Sequence, residues 1–192
     1  MTSKLKTDVL ETVSGSGTIA LTNQLSGMTT ASLPALGSAQ MPSGSVLQVV
    51  QITSVVQSTS TTGSDVDLFT AAITPSSTSS KILVSTTIFH GKGNDETFYM
   101  SRNGTKIAGV GSGGTSYISV GSFYNSDNSV ARDSATMASL SYEYLDSPSS
   151  TSEVTYKIGH MSPSSPVFYI NRAETAGQGF GRSTLTLTEI KG

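Results

Sequence analysis

The chain has 192 residues, with 11 lysines and arginines against 13 aspartates and glutamates, a formal net charge of −2. That balance argues against nucleic-acid binding through phosphates, which needs a clustered basic surface. Charged residues are only 12% and serine and threonine make up roughly a third, while the absence of cysteine excludes disulfides and thiolate metal sites.

Residues 1–44 alternate apolar and polar side chains without a helical period. The apolar positions are Leu5, Val9, Leu10, Val13, Ile19, Leu21, Leu25, Met28, Leu33 and Leu36, with no aromatic among them. Ordering so long a segment costs more conformational entropy than these few aliphatic side chains return on burial. Disordered segments are usually poor in aliphatics and rich in charge, and this one is not. The segment is therefore expected to be completed by surfaces it lacks, with Leu5, Val9, Leu10, Val13, Ile19, Leu21 and Leu25 as its anchoring positions. The opening MTSKLKTDVLE has no apolar signal-peptide core. No run of 18 apolar residues is present, so no transmembrane helix is expected. Synthesis in a host cytoplasm without ordinary export follows as the expectation. Residues 29–44 carry Pro34 and Pro42 and read as an extended linker.

From residue 45 the strands lengthen. The stretch 46–56 (VLQVVQITSVV) is apolar on both faces, which predicts a strand buried between layers. A Ser/Thr/Gly loop at 58–64 follows. Strands are predicted at 66–73, 81–89, 97–102, 105–110, 117–124, 135–145, 154–161, 167–171 and 183–190, with turn chemistry between them. Asn103-Gly104 is a strong type I′ hairpin signal. A single helical turn is expected within 128–137. In 135–145, Met137, Ser139, Ser141 and Glu143 fall on one face, and Ala138, Leu140, Tyr142 and Tyr144 on the other. Nine or ten strands at this spacing predict an all-β chain: an extended N-terminal strand segment at 1–44, then a β-sandwich or jelly-roll-like head at 45–192.

Catalytic and metal chemistry find little support. His90 and His160 are the only histidines; they are expected to be solvated or hydrogen-bonded, with no metal site and no cofactor. Gly109 to Gly114 matches G-x-G-x-x-G by spacing, but that motif must open a helix inside a βαβ unit, and here it reads as a loose turn. No nucleophile elbow is present. Asp65 and Asp67 read as exposed strand-edge carboxylates. No catalytic residue is nominated, and the chain is expected not to be an enzyme. The adjacent pairs Phe98-Tyr99, Phe123-Tyr124 and Phe168-Tyr169 should each point one ring inward and one outward. Tyr99, Tyr124, Tyr144, Tyr169 and Arg172 are the candidate contacts to a partner chain or a receptor, with Arg102 and Arg132 nearby.

The opening SKLKTDVLETVSGSGTIALTNQLSGM, together with GSVLQVVQ, ITPSSTSSKILV, YLDSPSSTSEVTYKI and STLTLTEI, resembles tail-fibre-like virion proteins of tailed bacteriophages, especially marine ones. The resemblance spans nearly the whole chain and rests on structural punctuation. It implies a homotrimeric appendage on the virion, with residues 1–44 docking on other virion proteins and a β-rich head. It further implies a host cell-surface glycan or protein as partner, without nucleic acid or membrane insertion. Long fibres carry long shafts and this chain has almost none, which favours a short appendage. A capsid decoration protein with no host contact is the alternative.

Overall fold

The computed structural model describes residues 37–60, 65–91, 96–108, 121–123, 137–161, 168–175, 177 and 179–192. The chain divides into two compact units, Met1–Gly37 and Ser38–Gly192. Leu5, Val9, Leu10, Val13, Ile19, Leu21, Leu25, Tyr124, the G-x-G-x-x-G stretch and the expected helical turn up to residue 136 lie outside the described residues.

Among the described residues the second unit is all-β. Eleven strands run in chain order: β1 (Val46–Ser54), β2 (Ser58–Ser60), β3 (Val66–Ile73), β4 (Lys81–His90), β5 (Glu96–Arg102), β6 (Thr105–Ala108), β7 (Gly121–Phe123), β8 (Ala138–Asp146), β9 (Val154–Met161), β10 (Phe168–Ile170) and β11 (Ser183–Ile190). They form two antiparallel sheets. The first is β1-β11-β4 with β8 on the far edge of β4, extended by β10 and β2. The second is β3-β9-β5, with β6 and β7 both paired to β5. β6 meets the second half of β5 and β7 the first, so the two lie end to end as one interrupted strand. Counting that strand once, and leaving out the short β2 and β10, eight strands remain. Their sequence order across the sheets is 1-8-3-6 and 2-7-4-5, the wiring of a jelly roll.

Period-2 alternation explains the core. Ile82, Val84 and Ile88 of β4 and Leu185 and Leu187 of β11 face Phe69, Ala71 and Ile73 of β3, Phe98 and Met100 of β5, and Val154, Tyr156 and Ile158 of β9; all are buried. β8 lays Leu140, Tyr142 and Tyr144 on this core and exposes Ser139, Ser141, Glu143 and Leu145, matching the alternation read from its residues.

The registers give the sandwich two distinct ends. At one end, Ser54 of β1 pairs with Ser183, Thr184 with Thr87, and His90 with Ala138; in the second sheet Val66 pairs with His160 and Thr97 with Met161. The chain crosses between sheets at this end after β2, β4, β7 and β9. The other end holds the two-residue β5–β6 hairpin turn and the longer β3–β4 and β8–β9 connections, which also pass between the sheets. There Gly44 N donates to Lys191 O at 2.8 Å, Lys191 N donates to Ser45 O at 2.9 Å, and Lys191 Nζ reaches the carbonyls of Ala39 and Met41. Residues 38–44 therefore pack with the head, which starts seven residues before the expected boundary at 44/45.

Three expectations need correction. β1 is an edge strand rather than one buried between layers: Val50 and Ile52 pack on the core, but Val49 is 58% exposed, because among the described residues no strand pairs with the free edge and nothing covers that face. The expected loop at 58–64 contains β2, which pairs Ser58 with Ile170 and Ser60 with Phe168. His160 is neither solvated nor hydrogen-bonded among the described residues, whereas His90 is hydrogen-bonded as expected.

Candidate functional site

The crossover end, the turn end and the two outer sheet faces place the chemistry-bearing residues differently. Inside the crossover end, His90 on β4 and His160 on β9 face each other's sheets, both fully buried. The His160 ring stacks on Phe168 at 3.7 Å between centroids, and His90 meets Phe98 edge-on at 5.4 Å. His90 Nδ1 lies 3.2 Å from Gly91 O, while neither ring nitrogen of His160 has a hydrogen-bond partner among the described residues. Burial first, and the neighbouring His90 second, lower the His160 pKa to about 4. This is a neutral, aromatic packing position. Among the described residues, no group of three or more His, Asp or Glu side chains is placed to hold a metal.

The turn end is closed by two polar clusters. Arg102 Nη1 donates to both carboxylate oxygens of Asp146 at 2.8 Å, and Tyr156 Oη donates to Oδ2 at 2.7 Å. The cluster ties β8 of one sheet to β5 and β9 of the other. Burial, and then the hydrogen bond to Asp146, push the Tyr156 phenol above its ordinary range. Glu189 is fully buried, and among the described residues it makes no ion pair. Burial alone would raise its pKa, but hydrogen bonds from Ser80, Ser76 and Gln48 outweigh that and hold it below the usual value. Its Oε1 accepts from Ser76 N, Ser76 Oγ and Ser80 Oγ, each at 2.7 Å, and its Oε2 accepts from Gln48 Nε2 at 2.6 Å. These are structural locks, because each carboxylate oxygen already accepts at least one hydrogen bond from the protein itself.

The outer face of the β3-β9-β5-β6 sheet carries Tyr99. The ring leaves the sandwich as alternation requires, yet it is only 4% exposed. It lies across Gly159, where a Cβ would fall 2.1 Å from Tyr99 Cζ, and Lys106 Nζ covers it at 4.4 Å from the centroid. Lys106 pairs with Asp65 at 2.8 Å and Lys157 with Asp67 at 2.6 Å. The two aspartates are half-exposed, as expected for the edge, and both are ion-paired. Tyr99 is thus withdrawn from any partner. Tyr144 is withdrawn for another reason, since it faces the core.

Tyr169 and Arg172 remain. They sit at the crossover end, with the Arg172 guanidinium 5.3 Å from the Tyr169 ring. Arg172 donates through Nε to Ala173 O and through Nη2 to Glu174 O, both at 2.9 Å. Their platform is built by Asn171, whose left-handed backbone (φ 55°) turns the chain. Asn171 Nδ2 donates to Ser54 O and Val56 O at 3.1 Å, and its Oδ1 accepts from Ser183 Oγ at 2.6 Å. Arg172 then bridges to Phe180, which is 78% exposed. Val55 and Val56, 58% and 68% exposed, flank the same turn. Phe180 was missed from the sequence because the glycine-rich stretch around it has no strand pattern.

Beside this patch, the outer face of the first sheet forms a groove of about 560 Å³ lined by Ser85, Thr87, Ser141, Glu143, Thr184 and Thr186. The register sets these side chains in two cross-strand rows: Thr186, Ser85 and Glu143, and then Thr184, Thr87 and Ser141. Ser85 Oγ donates to Glu143 Oε1 at 3.1 Å, and Thr87 Oγ1 lies 3.0 Å from Ser141 Oγ.

No protein-family model matches this sequence, and no curated protein matches it. Among solved structures, the chain is similar to the infectious bursal disease virus VP2 subviral particle at TM-score 0.38 and 17% identity, covering 83% of this chain and 42% of that one. It is similar to infectious bursal disease virus, Gx strain, at TM-score 0.34 and 16% identity, covering 82% and 42%. The chain thus spans less than half the length of either, and neither likeness bears on what it does.

Proposed function

We propose that this chain is a structural component of a virion: a short trimeric tail appendage that helps attach the particle to its host. The observation that carries this reading is the polarity of the head. Residues 38–44 join the sandwich beside Lys191 at the turn end, and the exposed Phe180 and the half-buried Arg172 and Tyr169 lie at the opposite, crossover end. A head held through its N-terminal side therefore presents that patch outward. The low charge and abundant hydroxyls suit close packing of identical copies, where like charges would repel. Sister copies supply the surface that residues 1–37 lack, and several copies of a weak contact multiply affinity.

The second reading, a capsid decoration protein, draws on the jelly-roll wiring itself, which is common in capsid domains. Immunogold electron microscopy of intact particles separates the two. Label at the tail is expected, and label spread over the shell would replace attachment with decoration. Light scattering on the purified full chain should give three times the chain mass; a monomer at micromolar concentration sinks the trimer.

A further inference from the structure

We infer that the heads of neighbouring copies meet edge to edge, the β1 edge of one against the β8 edge of the next, head to tail around the trimer axis. This rests on the trimeric reading and names the surface through which the heads touch. β1 and β8 are the two long edges of the first sheet, each nine residues. Among the described residues no strand pairs with the outer side of either. Solvent-facing edges are normally blunted by charge, proline or bulges. β1 carries no charged residue and no proline, and its register shift lies at its start, between Val46 and Gln48. β8 pairs with β4 along its whole length without a shift. The inner layer is open at the same two places, because Val50 and Ile52 on β1 and Leu140 and Tyr142 on β8 are only partly buried.

Direction and register make the two edges complementary. The pairs β1–β11, β11–β4 and β4–β8 are all antiparallel, so β8 runs opposite to β1. A rotation axis along the strands preserves direction and height. It therefore sets a sister β8 antiparallel to β1, with each residue level with its own cross-strand row. One row runs Val49, Thr188, Leu83, Leu145 and ends on an exposed aliphatic side chain at both edges. Head-to-tail contact brings those two ends together and covers both. The row Ile52, Leu185, Thr86, Tyr142 likewise sets Tyr142 beside Ile52 in the inner layer. The row through Gln51 sets that neutral side chain, rather than an acid, opposite Glu143. A twofold pairing of β1 with another β1 would leave Leu145 exposed and point the two turn ends in opposite directions. The axis along the strands keeps residues 38–44 of all copies at one end, where residues 1–37 can meet.

The chain has no cysteine, so engineered cysteines report this contact without background. Within one copy Val49 and Leu145 lie three strands apart, roughly 14 Å, and a disulfide needs Cα atoms within about 7 Å. The full chain carrying Val49→Cys/Leu145→Cys, oxidised with copper phenanthroline, should give a covalent species of three chains that a thiol reductant reverses. Val49→Cys alone and Leu145→Cys alone should stay single chains on the same gel. Val49→Cys/Ser139→Cys, whose second site lies six residues along β8 or roughly 20 Å away, should cross-link about tenfold or more slowly. Circular dichroism and thermal midpoint should be unchanged throughout, since all three side chains are exposed. A covalent dimer from either single change overturns the inference, because like edges then meet about a twofold axis. Equal cross-linking by the two double changes also overturns it. If the first pair fails to cross-link while light scattering still gives three chain masses, the edge contact falls and the trimer stands. If cross-linking by that pair climbs beyond three chains, the edge contact stands and the trimer falls.

Discussion

His160 is buried against Phe168 and Phe98 with no hydrogen bond to either ring nitrogen, so the fold holds its neutral form. Its pKa drops from 6.5 to about 4 on folding. Between those values the unfolded chain binds the extra proton, so stability rises with pH there and is lost as pH falls from 6.5 toward 4. The loss should reach roughly 3 kcal/mol. Denaturant titrations at pH 7 and pH 4.5 will measure it, and His160→Phe should flatten the dependence across that window. Glu189 acts lower: its depressed pKa adds stability above the ordinary carboxylate value that is lost on further acidification. Asp146→Ala would leave the Arg102 and Tyr156 partners unpaired at the turn end. A loss of about 3 kcal/mol is expected from chemical unfolding. Neither histidine's burial was legible from sequence. His90 and His160 sit at strand ends where alternation alone does not say which end the aromatic rings of Phe98 and Phe168 fill.

Among the elements, the β5–β6 hairpin was the most readable. Asn103 and Gly104 both take positive φ, 48° and 83°, as a type I′ turn requires. Gly104→Ala should cost about 1 kcal/mol of stability. The close passage of β9 under Tyr99 is different, because nothing around Gly159 announces it. Gly159→Ala puts a methyl into the Tyr99 ring and should destabilise by about 1–3 kcal/mol. Thermal unfolding should show Tyr99→Ala/Gly159→Ala less destabilised than the sum of the two single changes, since the clash disappears with the ring. β1 was read as buried because Val49, Val50, Ile52, Val55 and Val56 crowd together, yet its outer valines face outward. Composition cannot tell a central strand from an edge strand; pairing decides it.

For the whole molecule, residues 38–44 join the head because Lys191 gathers the Ala39 and Met41 carbonyls. That contact joins positions some 150 residues apart, which no local pattern encodes. If residues 1–37 hold copies together, Leu5→Asp/Val9→Asp/Val13→Asp should reduce the mass seen by light scattering to that of one chain. The head's unfolding midpoint, followed by tyrosine fluorescence, should stay within a few degrees. A chain that keeps its oligomeric mass with these changes would place the contacts elsewhere.

Length, charge balance and period-2 patterning were enough to establish an all-β sandwich, most strand positions and the inward face of β8, because each depends on neighbours in sequence. Only the tertiary structure decided the jelly-roll order, the covering of Tyr99 by Lys106 and the gathering of Tyr169, Arg172 and Phe180 at the crossover end. Those depend on which strands pair across long stretches of chain, and on the side chains such pairing brings together.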